Sequence, residues 1–268
     1  MKKYSGLILD LDGCIYWGDR LISGSREAVE KFRESGLKLF FLTNNSTMTS
    51  EQYSLKLKRM GIIVDPEEIL TSGEATAIYI LKESGLSRVM ALTGEGFKEY
   101  CRRIGHVLVD IERWSRVDYV VAGLDLEFNY MKLKAAMRAI LSGAKFVATN
   151  SDSTIPVNDG VDPGAGAIVA AIRESTSVDP IVIGKPSRII IDMCLEKMRL
   201  DRDKVLIVGD RIETDVEVGK RSGIDTALVL SGVTTREKLE SISREKKPDY
   251  VAENLLHLYE ILYMKGLI

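Results

Sequence analysis

Short apolar runs alternate with amphipathic segments along most of the chain. Leu7–Leu9, Leu39–Leu42, Ile181–Ile183 and Val205–Val208 carry no polar interruption, the pattern of strands buried on both faces. Between them lie segments with helical spacing and helix punctuation. SREAVEKFRESG opens on Ser25 as a cap and closes on Gly36, and TSEQYSLKLKRMG opens on Thr49 or Ser50 and closes on Gly61. SRIIIDMCLEKMRL and ETDVEVGKRSG read the same way, DTALVLSG adds a strand, and Tyr250–Val251 is a short edge strand before a closing helix. This alternation predicts an α/β fold, a parallel sheet covered by helices.

The middle of the chain repeats the alternation on its own account. RVMALTG, VDYVVAGLD and KFVATNS read as strands, with FKEYCRRIG, NYMKLKAAMRAILSG and GAGAIVAAIREST as helices between them. One sheet holding every run would be unusually wide. The pattern therefore divides into a discontinuous core, residues 1–80 and 182–268, and an inserted α/β unit, residues 81–181. The apolar helix faces AAMRAIL and AIVAAI are packing surfaces, either within that unit or between two copies in a homodimer.

Four of the core's runs end in polar chemistry. Leu7–Leu9 leads to Asp10 and Asp12, Leu39–Leu42 to Thr43, Asn44 and Asn45, Ile181–Ile183 to Gly184 and Lys185, and Val205–Val208 to Gly209 and Asp210. In open α/β sheets ligands bind outside the carboxyl ends of strands, so segments distant in sequence meet at one crevice. Residues two apart on extended chain point the same way, which brings Asp10 and Asp12 together, and carboxylates this close need a cation or a retained proton. Asp215, in VGDRIETD, adds another acid. Oxygen-rich acidic clusters suit Mg²⁺. Thr43, the NNS turn and Lys185 form an anion cradle opposite it. Carboxylate nucleophile, hydroxyl, lysine and metal are parts suited to phosphoryl transfer. Taken singly, each motif is an ordinary turn or helix cap; the inference rests on all four together.

Composition narrows the classes without selecting one. The 268 residues are 45% hydrophobic and 28% charged, with net charge −2 and pI near 5.9, so no basic surface invites nucleic acid. No apolar run reaches membrane-spanning length, and Asp10 and Asp12 interrupt the only stretch resembling a leader. Three widely spaced cysteines, Cys14, Cys101 and Cys194, suggest neither a disulfide framework nor a zinc site, and the expected location is the cytoplasm. The two histidines, His106 and His257, fall outside every motif, with Arg102, Arg103 and His106 read as a solvated face.

The order DLDG, LTNNS, GKPS, VGDRIETD, supported by PGAGAI and by the GxTT at Gly232–Thr235, resembles the haloacid dehalogenase-like phosphatases. The nearest branch is the NagD-like one, with its nitrophenylphosphatases and pyridoxal-phosphate phosphatases. The resemblance implies a Rossmann-like doubly wound core with an α/β cap. It implies Asp10 as the nucleophile that becomes aspartyl-phosphate and Asp12 as the acid that protonates the leaving alcohol, then the base that activates water. Thr43, Asn44 and Asn45 would hold phosphoryl oxygens, and Lys185 would neutralise nucleophile and phosphate. Mg²⁺ would sit on Asp10, the Asp12 carbonyl and Asp210, assisted by Asp215. Asn150 and Asp152, in ATNSD, are the candidates for contacting the substrate from the cap.

The implied activity is Mg²⁺-dependent hydrolysis of a small-metabolite phosphomonoester: a sugar, glycolate or glycerol phosphate, a nucleotide or pyridoxal phosphate, with p-nitrophenyl phosphate as a generic substrate. A phosphomutase using the same aspartyl-phosphate, and a binder that has kept the fold without turnover, remain open. A signalling receiver would be about half this length and would not need Asp12. Cys14 stands where the family commonly has a small aliphatic residue, so its thiol lies beside the expected site.

Overall fold

The computed structural model describes residues 3–157 and 160–268. The chain divides into two compact units, Met1–Thr43 with Tyr53–Leu70 and Lys185–Ile268, and Asn44–Gln52 with Thr71–Gly184.

In the first unit a six-stranded sheet runs in the order Tyr250–Ala252, Asp225–Val229, Val205–Gly209, Gly6–Asp10, Lys38–Thr43, Ile69–Thr71. The neighbours from Tyr250–Ala252 across to Lys38–Thr43 pair in parallel, with Leu7 opposite Leu206 on one side and Leu39 on the other. Leu7, Ile8 and Leu9 are buried to within 1% of full burial, as are Val205, Leu206, Ile207 and Val208. Each such side chain contributes roughly 1.5–3 kcal/mol of transfer free energy, which is why these runs admit no polar residue. Successive strands build outward from Gly6–Asp10 in one direction and, late in the chain, from Val205–Gly209 in the other. The order reverses between those two strands, and that reversal is where an open α/β sheet leaves a crevice at its carboxyl edge.

The second unit carries a five-stranded sheet in the order Ile181–Val182, Lys145–Ala148, Tyr119–Ala122, Arg88–Leu92, Val107–Leu108, all parallel. Ala135, Ala136, Ala139 and Ile140 from one helix and Ile168, Val169 and Ile172 from another bury against it, with Trp114 packed alongside. These helix faces are therefore covered within their own unit. A small antiparallel pair, Thr154–Val157 with Gly160–Pro163, accompanies it.

Three expectations are corrected here. Ile181–Ile183 reads as a core strand, but Ile181 and Val182 pair with Val147 and Ala148 at the edge of the second sheet. A very short apolar run does not say which sheet it joins. Residues 44–52 and 71–80 group with the second unit, because their loop and helix bond to it. His106 is buried rather than solvated. Gly105, at φ 100°, ends the helix Glu95–Ile104 and turns the chain inward. There the Ser87 N–H donates to His106 Nδ1, and Nε2 donates to the Ala77 carbonyl. Arg102 and Arg103 stay on the surface, paired with Glu95, Glu99 and Glu51.

Candidate active site

Asp10 is the last residue of its strand, and Asp210 follows directly on Val205–Gly209, the neighbouring strand across the topological reversal. Strand pairing thus brings the two acids to the same edge of the sheet, Leu9 lying opposite Val208. Asp215 comes from the next turn, a π-helical Ile212–Val216 in which its Oδ2 accepts from the Arg211 N–H at 3.0 Å and the Thr214 hydroxyl at 3.3 Å. Carboxylate oxygens of Asp10, Asp210 and Asp215 lie within 4.8 Å of one another.

Lys185 is the counter-charge. Its Nζ stands 2.7 Å from Asp10 Oδ1 and 2.6 Å from Asp215 Oδ1, with the ammonium almost wholly buried. Burial alone would lower its pKa; the two carboxylates more than offset this and raise it. Burial lifts Asp10 well above the usual carboxylate range despite the lysine, with Asp215 and Asp210 adding to the rise. Burial, then Asp215, pushes Asp210 up to about 7. One lysine does not neutralise three clustered acids.

Asp210 is cradled by the GxTT segment. The Val233 N–H donates to its Oδ2 at 2.6 Å, and the Thr234 N–H donates to its carbonyl. Gly232 and Gly13 make this possible, since a Cβ at either would collide with the Asp210 carboxylate, and Gly13 also takes φ 81°. Asp210 Oδ1 is buried and meets no protein donor. A buried carboxylate oxygen left without a partner is costly and is the natural seat of a cation.

Asp12 goes its own way. The chain leaves extended geometry at Gly13, so its carboxylate turns toward Tyr16, whose hydroxyl donates to Oδ2 at 3.4 Å, and toward Lys56. Asp10 thus faces Lys185, and Asp12 faces Tyr16. Burial raises Asp12 above the ordinary range, opposed chiefly by Lys56. Thr43 is buried at the end of Lys38–Thr43, one residue beyond the pairing of Asp10 with Leu42. Cys14 is buried, and its thiol is pushed well up by burial and by Asp10, the opposite of what a reactive thiolate needs.

In the second unit Asn44, Asn150 and Asp152 form one network. Asn44 Nδ2 donates to both carboxylate oxygens of Asp152, at 3.2 and 3.1 Å. Asn150 Nδ2 donates to the Asn44 carbonyl at 2.7 Å, and the Asp152 N–H donates back to Asn150 Oδ1. Asn45 closes its own turn, its Oδ1 accepting from the N–H and hydroxyl of Thr47. Trp114 is partly buried against that unit's core, and Trp17 is more than a third exposed. Sequence reading misses Tyr16, Lys56 and Ser72, the last donating its hydroxyl to the Asn44 carbonyl.

Residues 7–106 match the family Haloacid dehalogenase-like hydrolase, and residues 182–258 match a second family, HAD-hydrolase-like. The chain is 40% identical over 255 residues to the acid sugar phosphatase of Staphylococcus saprophyticus, covering 95% of this chain and 96% of that one. The crystal structure of 4-nitrophenylphosphatase from Thermotoga maritima superposes with a TM-score of 0.90 at 38% identity, over 97% of both chains. The p-nitrophenyl phosphatase from Archaeoglobus fulgidus gives 0.91 at 37% identity, over 97% of this chain and 100% of that one. The chain belongs to the haloacid dehalogenase-like hydrolases and, within them, to the phosphatases of the NagD-like and p-nitrophenylphosphatase branch.

Proposed function

We propose that this phosphatase hydrolyses the phosphomonoester of a small metabolite, with a sugar phosphate as the leading substrate class and Mg²⁺ as the resident metal. The observation that carries the reading is the pairing of Lys185 with Asp10 and Asp215 beside the unpartnered oxygen of Asp210. The sugar-phosphate class draws support from the relative that is an acid sugar phosphatase. Glycolate and glycerol phosphates, nucleotides and pyridoxal phosphate form the comparison panel.

Asp10 attacks phosphorus, and the bond to the leaving oxygen breaks as Asp12 supplies its proton. The product alcohol leaves and Asp10 carries the phosphoryl group. Asp12, now a carboxylate, takes a proton from water as that water attacks phosphorus, which frees Asp10 and releases phosphate. Lys185 favours the ionised form of Asp10 against the effect of burial and offsets the charge of the incoming phosphate, while Thr43 with Asn44 and Asn45 holds phosphoryl oxygens. The donor set is all oxygen and includes a buried carboxylate oxygen without a partner, which fits a hard divalent cation. Asp10, Asp210, Asp215 and the Asp12 carbonyl would hold it, and it would supply charge neutralisation at the transferring phosphoryl group.

The inserted unit, including Asn150 and Asp152, is assigned the role of cap. A cytoplasmic setting accords with three buried thiols, and no helix among the described residues is long and apolar enough to cross a membrane. The test is phosphate release across the metabolite panel. Sugar phosphates turning over with the highest kcat/KM support the class; a nucleotide or pyridoxal phosphate leading by tenfold replaces it. Transfer within the substrate without free phosphate identifies a mutase.

A further inference from the structure

The loop after Gly6–Asp10 folds tightly back on itself. The Leu11 carbonyl accepts from the N–H groups of Cys14, Ile15 and Tyr16, and the Gly13 N–H donates to the Tyr16 carbonyl at 2.8 Å. This returns Tyr16 to the side of Asp12, with which it forms an isolated bridge. Pairing of Tyr16 with Leu21 and of Trp17 with Arg20 then fixes the tyrosine from the other side.

Tyr16 is fully buried, and a buried phenol needs a partner for its hydroxyl. That partner is Asp12 Oδ2, at 3.4 Å. Lys56 Nζ lies 3.9 Å from the centroid of the same ring, close enough for a strong cation–π contact. Such a cation draws electron density from the ring and makes the O–H a better donor. The contact is long, as hydrogen bonds of catalytic groups often are before substrate binds.

We propose that Tyr16 is a positioning residue for proton transfer. Its hydroxyl fixes the Asp12 carboxyl through Oδ2, leaving Oδ1 for the leaving group, and Lys56 holds the ring in place. The inference rests on Asp12 being the general acid. As the P–O bond breaks, the proton on Asp12 passes to the departing oxygen and Asp12 becomes a carboxylate. Tyr16 neither gains nor loses a proton; its hydrogen bond becomes charge-assisted in that step and so strengthens toward the transition state.

The test compares wild type, Tyr16→Phe and Asp12→Asn on p-nitrophenyl, phenyl and alkyl phosphates. The readout is kcat/KM, which covers the steps through leaving-group departure. A good leaving group needs little protonation and a poor one needs much. Tyr16→Phe keeps the ring and its packing, so it should fold and melt as wild type does. The expected loss is about tenfold or more on the alkyl ester, the worth of one charge-assisted hydrogen bond, and under about threefold on p-nitrophenyl phosphate. Asp12→Asn should show the same bias more steeply. An equal loss on all three esters in Tyr16→Phe, with the bias present in Asp12→Asn, overturns the role of Tyr16 alone. Absence of bias in Asp12→Asn removes Asp12 as general acid, and the inference with it.

Discussion

Lys185 Nζ stands 2.6 Å from Asp215 Oδ1, and both side chains are at least 97% buried. Removing one member of a buried ion pair leaves the other uncompensated, at a cost of about 3–5 kcal/mol. Lys185→Met should therefore destabilise by that order and abolish turnover, as two acids lose their nearest cation together. Urea denaturation measures this. A loss below about 1 kcal/mol would mean that Asp10 and Asp215 find another counter-charge.

Asn44 and Asp152 suggest a second experiment. Asp152 accepts two hydrogen bonds from the Asn44 side-chain amide and Asn150 holds the Asn44 carbonyl, so both anchor the residue next to Thr43. Asp152→Ala should lower kcat/KM by a similar factor, roughly tenfold, on every substrate in the panel. A variant that re-ranks substrates instead would return Asp152 to the substrate-contacting role its position in ATNSD suggests.

The acidic cluster makes stability depend on pH and metal together. Metal-free, Asp210 is pushed up to about 7, against about 3.9 in the unfolded chain. The folded protein then keeps a proton that the unfolded chain has lost. This contribution is fully present below about pH 4 and disappears as pH rises through 7. Tm of EDTA-treated protein should fall between pH 5 and pH 8, and Asp210→Asn should flatten that slope. Mg²⁺ should raise Tm more at pH 8 than at pH 5. A Tm indifferent to Mg²⁺ at pH 8 would remove the cluster as a metal site.

Gly232 offers a purely steric probe. A methyl group there collides with Asp210, and the GxTT segment cannot withdraw without losing the Val233 and Thr234 hydrogen bonds. Gly232→Ala should raise the Mg²⁺ concentration needed for half-maximal activity at least tenfold. An unchanged metal requirement would show that the cradle does not set the position of Asp210.

What the sequence made legible follows from range. Gly6–Asp10 and Val205–Gly209 announce themselves because strands buried on both faces tolerate only apolar residues. Their terminal acids stand out against that background, so Asp10 and Asp210 are visible from one chain, as is Thr43 at the polar end of the largely apolar Lys38–Thr43. Ile181–Val182 is misread because its sheet depends on a partner over thirty residues away, Val147–Ala148. The burial of His106 depends on acceptors and donors at Ala77 and Ser87, which no local pattern encodes. Tyr16 is hidden for a different reason. An aromatic after a turn reads as core, and only the fold-back through Leu11 brings its hydroxyl to Asp12.

The central claim is that Asp10 performs metal-dependent phosphomonoester hydrolysis. Its most direct test is phosphate release from p-nitrophenyl phosphate by wild type and Asp10→Asn, each with Mg²⁺ and with excess EDTA. The account predicts release by wild type with Mg²⁺ alone, and none from Asp10→Asn although it melts as a folded protein. Undiminished release in EDTA, or near-wild-type turnover by Asp10→Asn, would contradict it.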